Sequence, residues 1–241
     1  MDPILSELLK LGYIAVSGGG DSVLTDRAAA DPKDRIAMYE IVSKAVADSQ
    51  RGRYPASVAK LKQALAIESG SLPVRHLLAL NYYRMGDFTS AVKEFEQVLQ
   101  VQPNYALATY YLGLAYGRAG QTEKAVSSLR RALELDPTNF SAAFNLGAAY
   151  LQTKQIPESI AAFRQAVTIY PEYAQGYEAL GEVLLFQGQV DPAIEALRKA
   201  VALAPRNNKA RLALAKALDA KGLHQEAAEE RKKAGGNATP R

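Results

Sequence analysis

The chain has 241 residues, enough for one or two compact domains or for one elongated array of repeats. It has no cysteine, which excludes disulfides, thiolate nucleophiles and cysteine-ligated metals, and its two histidines stand far apart in no metal-binding spacing. The net charge is +4, but no continuous basic stripe runs along the chain, so nucleic acid is not an expected partner.

Residues 1–37 are predicted to be a leader outside the main fold. Residues 4–13 form a short amphipathic segment with leucines on one side. The stretch IAVSGGGDS (14–22) follows and resembles the SGGxDS loop of the PP-loop ATPases. A phosphate loop functions between a strand and a helix of an α/β sheet, and no alternation of strands and helices follows here. The stretch is therefore interpreted as a flexible linker, and no nucleotide cofactor is expected.

From residue 38 onward the sequence repeats with a period of 34 residues. Proline recurs at this interval, at Pro103, Pro137, Pro171 and Pro205. A glycine column holds Gly52, Gly86, Gly120, Gly188 and Gly222, broken only by Lys154. Each unit is predicted to form two amphipathic helices joined by a turn, with the second helix of 106–139 running from about Thr122 to Leu135. One such hairpin cannot bury its own apolar face, so the units are expected to stack.

The segment YYLGLAYGRAGQTEKAVSSLRRALELDPTN (110–139) resembles the tetratricopeptide repeat in its Leu-Gly, Tyr, Ala, Leu, Ala and Pro positions. The resemblance implies an all-α fold, a right-handed α-α superhelix of about six helix-turn-helix repeats. The predicted array covers 38–234, with units 38–71, 72–105, 106–139, 140–173, 174–207 and 208–234. Polar residues in the terminal units suit capping repeats, whose outer faces meet water. Residues 235–241 are predicted to be a disordered tail.

The first helix of each unit also has apolar side chains away from its core face, at positions 5, 9 and 12 of the repeat. An apolar row that the core does not need indicates an interaction surface, although packing between neighbouring helices would produce the same row. Adding the polar neighbours of this row gives the predicted partner-binding groove: His76, Leu80, Tyr83, Arg84, Tyr110, Leu114, Arg118, Phe144, Asn145, Leu151, Gln152 and Glu178.

The predicted function is a non-catalytic scaffold that binds a partner peptide or protein segment in the concave groove of the superhelix. The clamp by which some tetratricopeptide domains hold chaperone carboxyl termini is missing, since only Asn145 fits it, and an apolar-anchored segment is favoured instead. No carboxylate pair, nucleophile–base set or metal constellation stands at catalytic spacing, so no enzymatic activity, cofactor or metal is expected. The chain is expected to be a monomer or a weak homo-oligomer.

A second resemblance concerns residues 5–36. Their order of LLKLGY, a glycine-rich link and DPKDRI before the repeats is similar to the junction in bacterial sulfatase-like hydrolases with a carboxyl-terminal repeat array. It implies an alternative function as the structural or regulatory tail of such a hydrolase. A stand-alone chain would be cytoplasmic, and part of a fusion would be periplasmic or otherwise extracytoplasmic. No segment has the roughly 18 apolar residues needed to span a bilayer, so membrane insertion is not expected.

Overall fold

A computed structural model of the chain describes residues 32–236, and all regular structure in that range is helical. The first helices are α1 (Pro32–Gln50), α2 (Tyr54–Ile67), α3 (Leu72–Met85), α4 (Phe88–Val101), α5 (Ala106–Arg118) and α6 (Thr122–Leu135). The remaining helices are α7 (Phe140–Gln152), α8 (Ile156–Ile169), α9 (Ala174–Phe186), α10 (Val190–Leu203), α11 (Asn208–Ala220) and α12 (His224–Gly236). The amphipathic segment 4–13 and the glycine-rich stretch 14–22 lie outside the described residues.

The helix bounds follow the repeat pattern with one difference at each end. The second helix of 106–139 has the predicted bounds, Thr122–Leu135. The first helix begins at Pro32, ahead of the predicted start of the array at residue 38, because proline at the first position of a helix costs no backbone hydrogen bond. The last helix ends at Gly236, inside the stretch predicted to be a disordered tail.

The residues fall into two compact units, up to Ala115 and from Tyr116 onward, which are called here the amino-terminal and carboxyl-terminal units. In the amino-terminal unit, α1, α2 and α3 bury an apolar cluster that includes Met38, Leu61 and Leu78. In the carboxyl-terminal unit, the larger cluster draws on α8 to α12 and includes Phe163, Leu184, Leu197 and Leu218. In the amino-terminal unit α1 packs on α2 and α3 packs on α4, and in the carboxyl-terminal unit α7 packs on α8, α9 on α10 and α11 on α12, so each of these helices covers the apolar face of its partner.

Small side chains allow the paired helices to approach closely. A Cβ atom added at Gly147 of α7 would lie 2.8 Å from ring carbons of Phe163 on α8. A Cβ atom added at Gly181 of α9 would lie 2.5 Å from Cγ of Leu197 on α10. Since real carbon–carbon contacts are longer than this, only glycine fits at this position in the fourth and fifth repeats, whereas the second and sixth repeats have Ala79 and Ala215 there.

The turns inside the hairpins use one residue in the left-handed region. Five of these residues are glycines, with φ between 74° and 85°: Gly52, Gly86, Gly120, Gly188 and Gly222. The turn between α7 and α8 instead uses Lys154, the one non-glycine residue with positive φ, 59°, in the described range. The N–H of Gln155 donates to the carbonyl of Tyr150 at 2.9 Å, so the helix end is closed in the usual way in spite of the lysine.

We expect the substitution Lys154→Gly to raise the free energy of unfolding of the carboxyl-terminal unit by about 0.5–1 kcal/mol, because glycine lacks the Cβ atom that is crowded in this conformation. Urea unfolding followed by circular dichroism measures the change. The matched reverse variant, Gly188→Lys, should lower the free energy of unfolding. A lower urea midpoint for Lys154→Gly would show that the lysine side chain stabilises the fold by more than its backbone conformation costs.

Candidate functional site

The amino-terminal unit contains six of the predicted groove residues, and two of them are buried. His76 is 5% exposed and Leu80 is 1% exposed, so neither side chain is open to a partner. These two residues therefore fit the alternative interpretation, in which the apolar row packs between neighbouring helices. Tyr83, Tyr110 and Leu114 are half-buried, and Tyr83 packs edge-on against Phe88. Arg84 alone is exposed, and it donates a hydrogen bond to Oγ of Ser49 at 3.1 Å.

His76 lies in an aromatic cluster. Its ring centroid is 5.5 Å from that of Phe95, 5.1 Å from that of Tyr105 and 6.3 Å from that of Tyr111. Neither ring nitrogen has a hydrogen-bond partner, and burial lowers the pKa of His76 from 6.5 to about 4. The imidazole is therefore neutral at physiological pH and acts as a packing element rather than as a proton donor.

The carboxyl-terminal unit contains the other six predicted residues, in four different settings. Phe144 is half-buried, with its ring centroid 5.3 Å from that of Phe163 and 5.2 Å from that of Tyr173. The amide of Asn145 donates to a backbone carbonyl one turn earlier at 2.7 Å. The remaining exposed residues are Arg118, Leu151 and Gln152.

Glu178, the last predicted groove residue, is buried and already paired. Its carboxylate forms an ion pair with Lys209 at 2.6 Å and accepts a hydrogen bond from the amide of Asn207 at 2.5 Å. Lys209 also pairs with Glu182 at 3.2 Å. The hydrogen bond from its ammonium to Glu178 is the main reason why the pKa of Lys209 is raised. This network links α9 to α11 and leaves Glu178 little capacity for a partner.

A cavity of about 580 Å³ opens beside α9, and we call it the α9 pocket. It is lined by the end of α7, the turn after it, the first half of α8 and the carboxyl-terminal half of α9. Its lining is mainly apolar and consists of Leu151, Lys154, Ile156, Phe163, Ala179, Glu182, Val183 and Phe186. Leu151 is the one predicted groove residue that lines it.

Phe186 lines the α9 pocket and was not among the predicted groove residues. Its side chain is 77% exposed, whereas Leu151 is 40% exposed. Phe186 occupies position 13 of the fifth repeat, where the three preceding repeats have Arg84, Arg118 and Gln152. The change from a polar to an aromatic residue in this column was a detectable signal, but the predicted groove included position 13 only in the second to fourth repeats.

The charged groups at the α9 pocket differ in their pairing. Glu182 shares Lys209 with Glu178, so both carboxylates have a cationic partner inside the protein. Lys154 is exposed and has neither an ion pair nor a side-chain hydrogen bond with any residue that the structure describes. Lys154 is therefore the charged lining residue without an ion pair, whereas Glu182 is paired with Lys209.

The described residues form neither a metal-binding cluster nor a membrane-spanning helix. Between residues 32 and 236, no three His, Asp or Glu side chains cluster closely enough to hold a metal ion. Over the same stretch, none of the helices combines the length and the apolar character that crossing a bilayer requires.

Comparison with known proteins identifies the repeat. The family model of the tetratricopeptide repeat matches residues 76–140, 113–174 and 178–235. The crystal structure of MamA is 31% identical and aligns over 65% of this chain and 92% of its own, with a TM-score of 0.63. No curated protein matches the chain.

Two more distant structures share the fold. Pseudomonas aeruginosa PilF is 18% identical over 86% of this chain and 95% of its own, with a TM-score of 0.70. YrrB, described as a TPR protein with an unusual peptide-binding site, is 18% identical over 87% of this chain and 96% of its own, with a TM-score of 0.62. None of these matches supports the predicted relation to sulfatase-like hydrolases. The chain belongs to the tetratricopeptide repeat family, and its fold is the all-α solenoid of helix pairs that the 34-residue period predicts.

Proposed function

We propose that the protein is a non-catalytic interaction scaffold whose carboxyl-terminal unit binds a segment of a partner protein in the α9 pocket. The observation that carries this proposal is the exposure of Phe186, which projects into solvent at the edge of an apolar cavity instead of filling the core. Exposed aromatic surface beside a concave apolar site is typical of binding sites, because covering it removes apolar area from water.

The family supports the general role, since tetratricopeptide repeats are protein-interaction modules. A peptide-binding site is reported for YrrB, whose likeness to this chain is one of fold alone. The partner surface that we propose is displaced from the predicted one. It centres on the fourth and fifth repeats, where Leu151 and Phe186 line one cavity, and leaves out the second repeat, where the predicted groove residues His76 and Leu80 are buried.

The pocket also suits an apolar anchor by its size and composition. A volume of about 580 Å³ lies in the range of small-ligand sites and exceeds what one large side chain fills. Ile156, Phe163 and Val183 add further apolar surface to the lining. A leucine or an aromatic residue of the partner would bury its own surface and that of Phe186 at the same time, which is how a few residues supply most of the free energy of binding.

Comparative capture from native lysate tests the proposal. The wild-type chain and the double variant Leu151→Ser/Phe186→Ser are immobilised, and the bound proteins are identified and quantified by mass spectrometry. We expect the wild type to retain a specific partner and the double variant to bind it at least about tenfold more weakly, since buried anchors contribute about 2 kcal/mol or more each. Phe186 is largely exposed, so its loss should leave helical content and the urea midpoint almost unchanged.

The matched control is Tyr170→Ser, which removes a ring that is 42% exposed in the same unit but does not line the α9 pocket. The proposal requires this control to bind the partner as the wild type does. Equal partner binding per folded molecule by the wild type and the double variant would place the binding surface elsewhere.

A further inference from the structure

Lys154 has an unusual backbone conformation at the edge of the α9 pocket. Its φ of 59° lies in the left-handed region, where the equivalent turns of the other hairpins use glycine. A residue with a Cβ atom pays about 1 kcal/mol or more to adopt this region. The side chain recovers none of this cost through an ion pair or hydrogen bond to the described residues. Strain of this kind, kept beside a cavity, indicates that the side chain has a role in binding.

We infer that the α9 pocket recognises a peptide segment in which a large apolar side chain is accompanied by a nearby carboxylate. The apolar side chain packs against Leu151 and Phe186, and the carboxylate pairs with the ammonium of Lys154. This inference rests on the proposed function and specifies the chemistry of the partner. It differs from the carboxylate clamp considered above, because Lys154 lies in the turn between the two helices of its repeat.

The pairing of charges favours an acidic segment over a basic one. A basic segment would have to compete with Lys209 for Glu182, whose carboxylate is 3.2 Å from that ammonium. The second carboxylate of the network, Glu178, is buried and holds Lys209 at 2.6 Å and Asn207 at 2.5 Å. Lys154 is the charged residue of the pocket lining that has no counter-charge, so a carboxylate is the group that completes the site.

The apolar surroundings strengthen the pair. Ile156 and Phe186 line the same cavity, and a bound segment would exclude water from part of the space around the ammonium. Two opposite charges attract more strongly when the solvent between them is reduced. The partner carboxylate must therefore lie near its apolar anchor, within about one helical turn if the segment is helical.

Selection from a random peptide library tests the inference. The full chain is immobilised, dodecapeptides displayed on phage are selected on it, and the enriched sequences are compared with those selected on Phe186→Ser, Lys154→Gly and Lys199→Gln. Lys199 is exposed on α10 and does not line the pocket, so Lys199→Gln is the charge-matched control. Lys154→Gly suits the left-handed backbone, so a change in its selected sequences cannot be ascribed to misfolding.

We expect the wild type and the Lys199→Gln variant to enrich peptides that combine a large apolar residue with Asp or Glu. Lys154→Gly should still enrich the apolar residue but not the acid. For one enriched peptide, replacement of Asp by Asn or of Glu by Gln should weaken binding about fivefold to the wild type and not at all to Lys154→Gly. Calorimetry on these four combinations measures the coupling directly.

The contradicting outcomes separate this inference from the proposed function. Enrichment of apolar peptides without an acidic preference, or with a preference that Lys154→Gly retains, would overturn the role of Lys154 and leave the α9 pocket as the binding site. Enrichment of basic peptides would have the same meaning. If the wild type and Phe186→Ser enrich the same peptides, or neither enriches any, both the inference and the proposed function are contradicted.

Discussion

Replacement of Gly181 by valine is expected to lower the free energy of unfolding of the carboxyl-terminal unit by about 3 kcal/mol or more. Even a single Cβ atom at this position would lie 2.5 Å from Cγ of Leu197 and 3.2 Å from the carbonyl oxygen of Ala193. Leu197 is fully buried and its Cγ is a branch point rather than a flexible end, so the clash must be relieved by separating α9 from α10. Because α9 carries Phe186, the same change should also disturb the α9 pocket.

Urea unfolding followed by far-ultraviolet circular dichroism measures this effect. The matched control is Gly117→Ala in the same unit, where an added Cβ atom would meet only Cβ of Ala125, at an ordinary 3.7 Å. This control should be neutral or stabilising by up to about 1 kcal/mol, since alanine favours helix over glycine. Similar urea midpoints for Gly181→Val and the wild type would mean that α9 and α10 do not approach as closely as described.

The stability of the amino-terminal unit is expected to fall when the pH is lowered from 7 to 5, and His76 should contribute about 2 kcal/mol of that loss. The pKa of His76 is about 4 in the folded protein, against an ordinary value of 6.5 when the chain is unfolded. Between these two values the unfolded chain binds a proton that the folded protein does not, so acid favours unfolding. The contribution is complete above about pH 6.5, declines as the pH falls, and is lost below about pH 4.

The variant His76→Leu isolates this contribution from that of the carboxylates. Leucine has no titratable group and no unpaired polar atom, so the variant should be at least as stable as the wild type at pH 7 and should lose less stability at pH 5. The quantity to compare is the difference between the free energies of unfolding at the two pH values, measured by urea unfolding of both proteins. An equal difference in the two proteins would show that His76 is not buried as a neutral ring.

The sequence predicted the fold because its period reports the architecture directly. Stacked helix hairpins account together for a small residue, a turn glycine and a proline that recur every 34 residues. The observed bounds of Thr122–Leu135, which equal the predicted ones, show how closely local signals determine the ends of a helix. The start of α1 at Pro32 lies ahead of the predicted start of the array at residue 38, because the 34-residue period does not extend to Pro32, which is instead favoured there as a first helical residue.

The site was less predictable, because helical periodicity shows which side chains share a face but not what covers that face. His76 and Leu80 share their face with Tyr83, yet they are buried and Tyr83 is not fully so. Which of them meets solvent depends on neighbouring helices distant in sequence. Glu178 illustrates the same limit, since its partner Lys209 lies in the following repeat. The exposure of Phe186 likewise follows from the three-dimensional stack.

Site-specific photocrosslinking tests most directly whether a partner segment binds in the α9 pocket. A benzophenone amino acid replaces Phe186 in the full chain, the protein is irradiated in native lysate, and crosslinked partners are compared with those from the same label at Tyr170. We predict that the label at position 186 crosslinks the partner that the wild type captures and that the label at position 170 does not. Crosslinking of that partner from position 170 but not from position 186 would contradict the account.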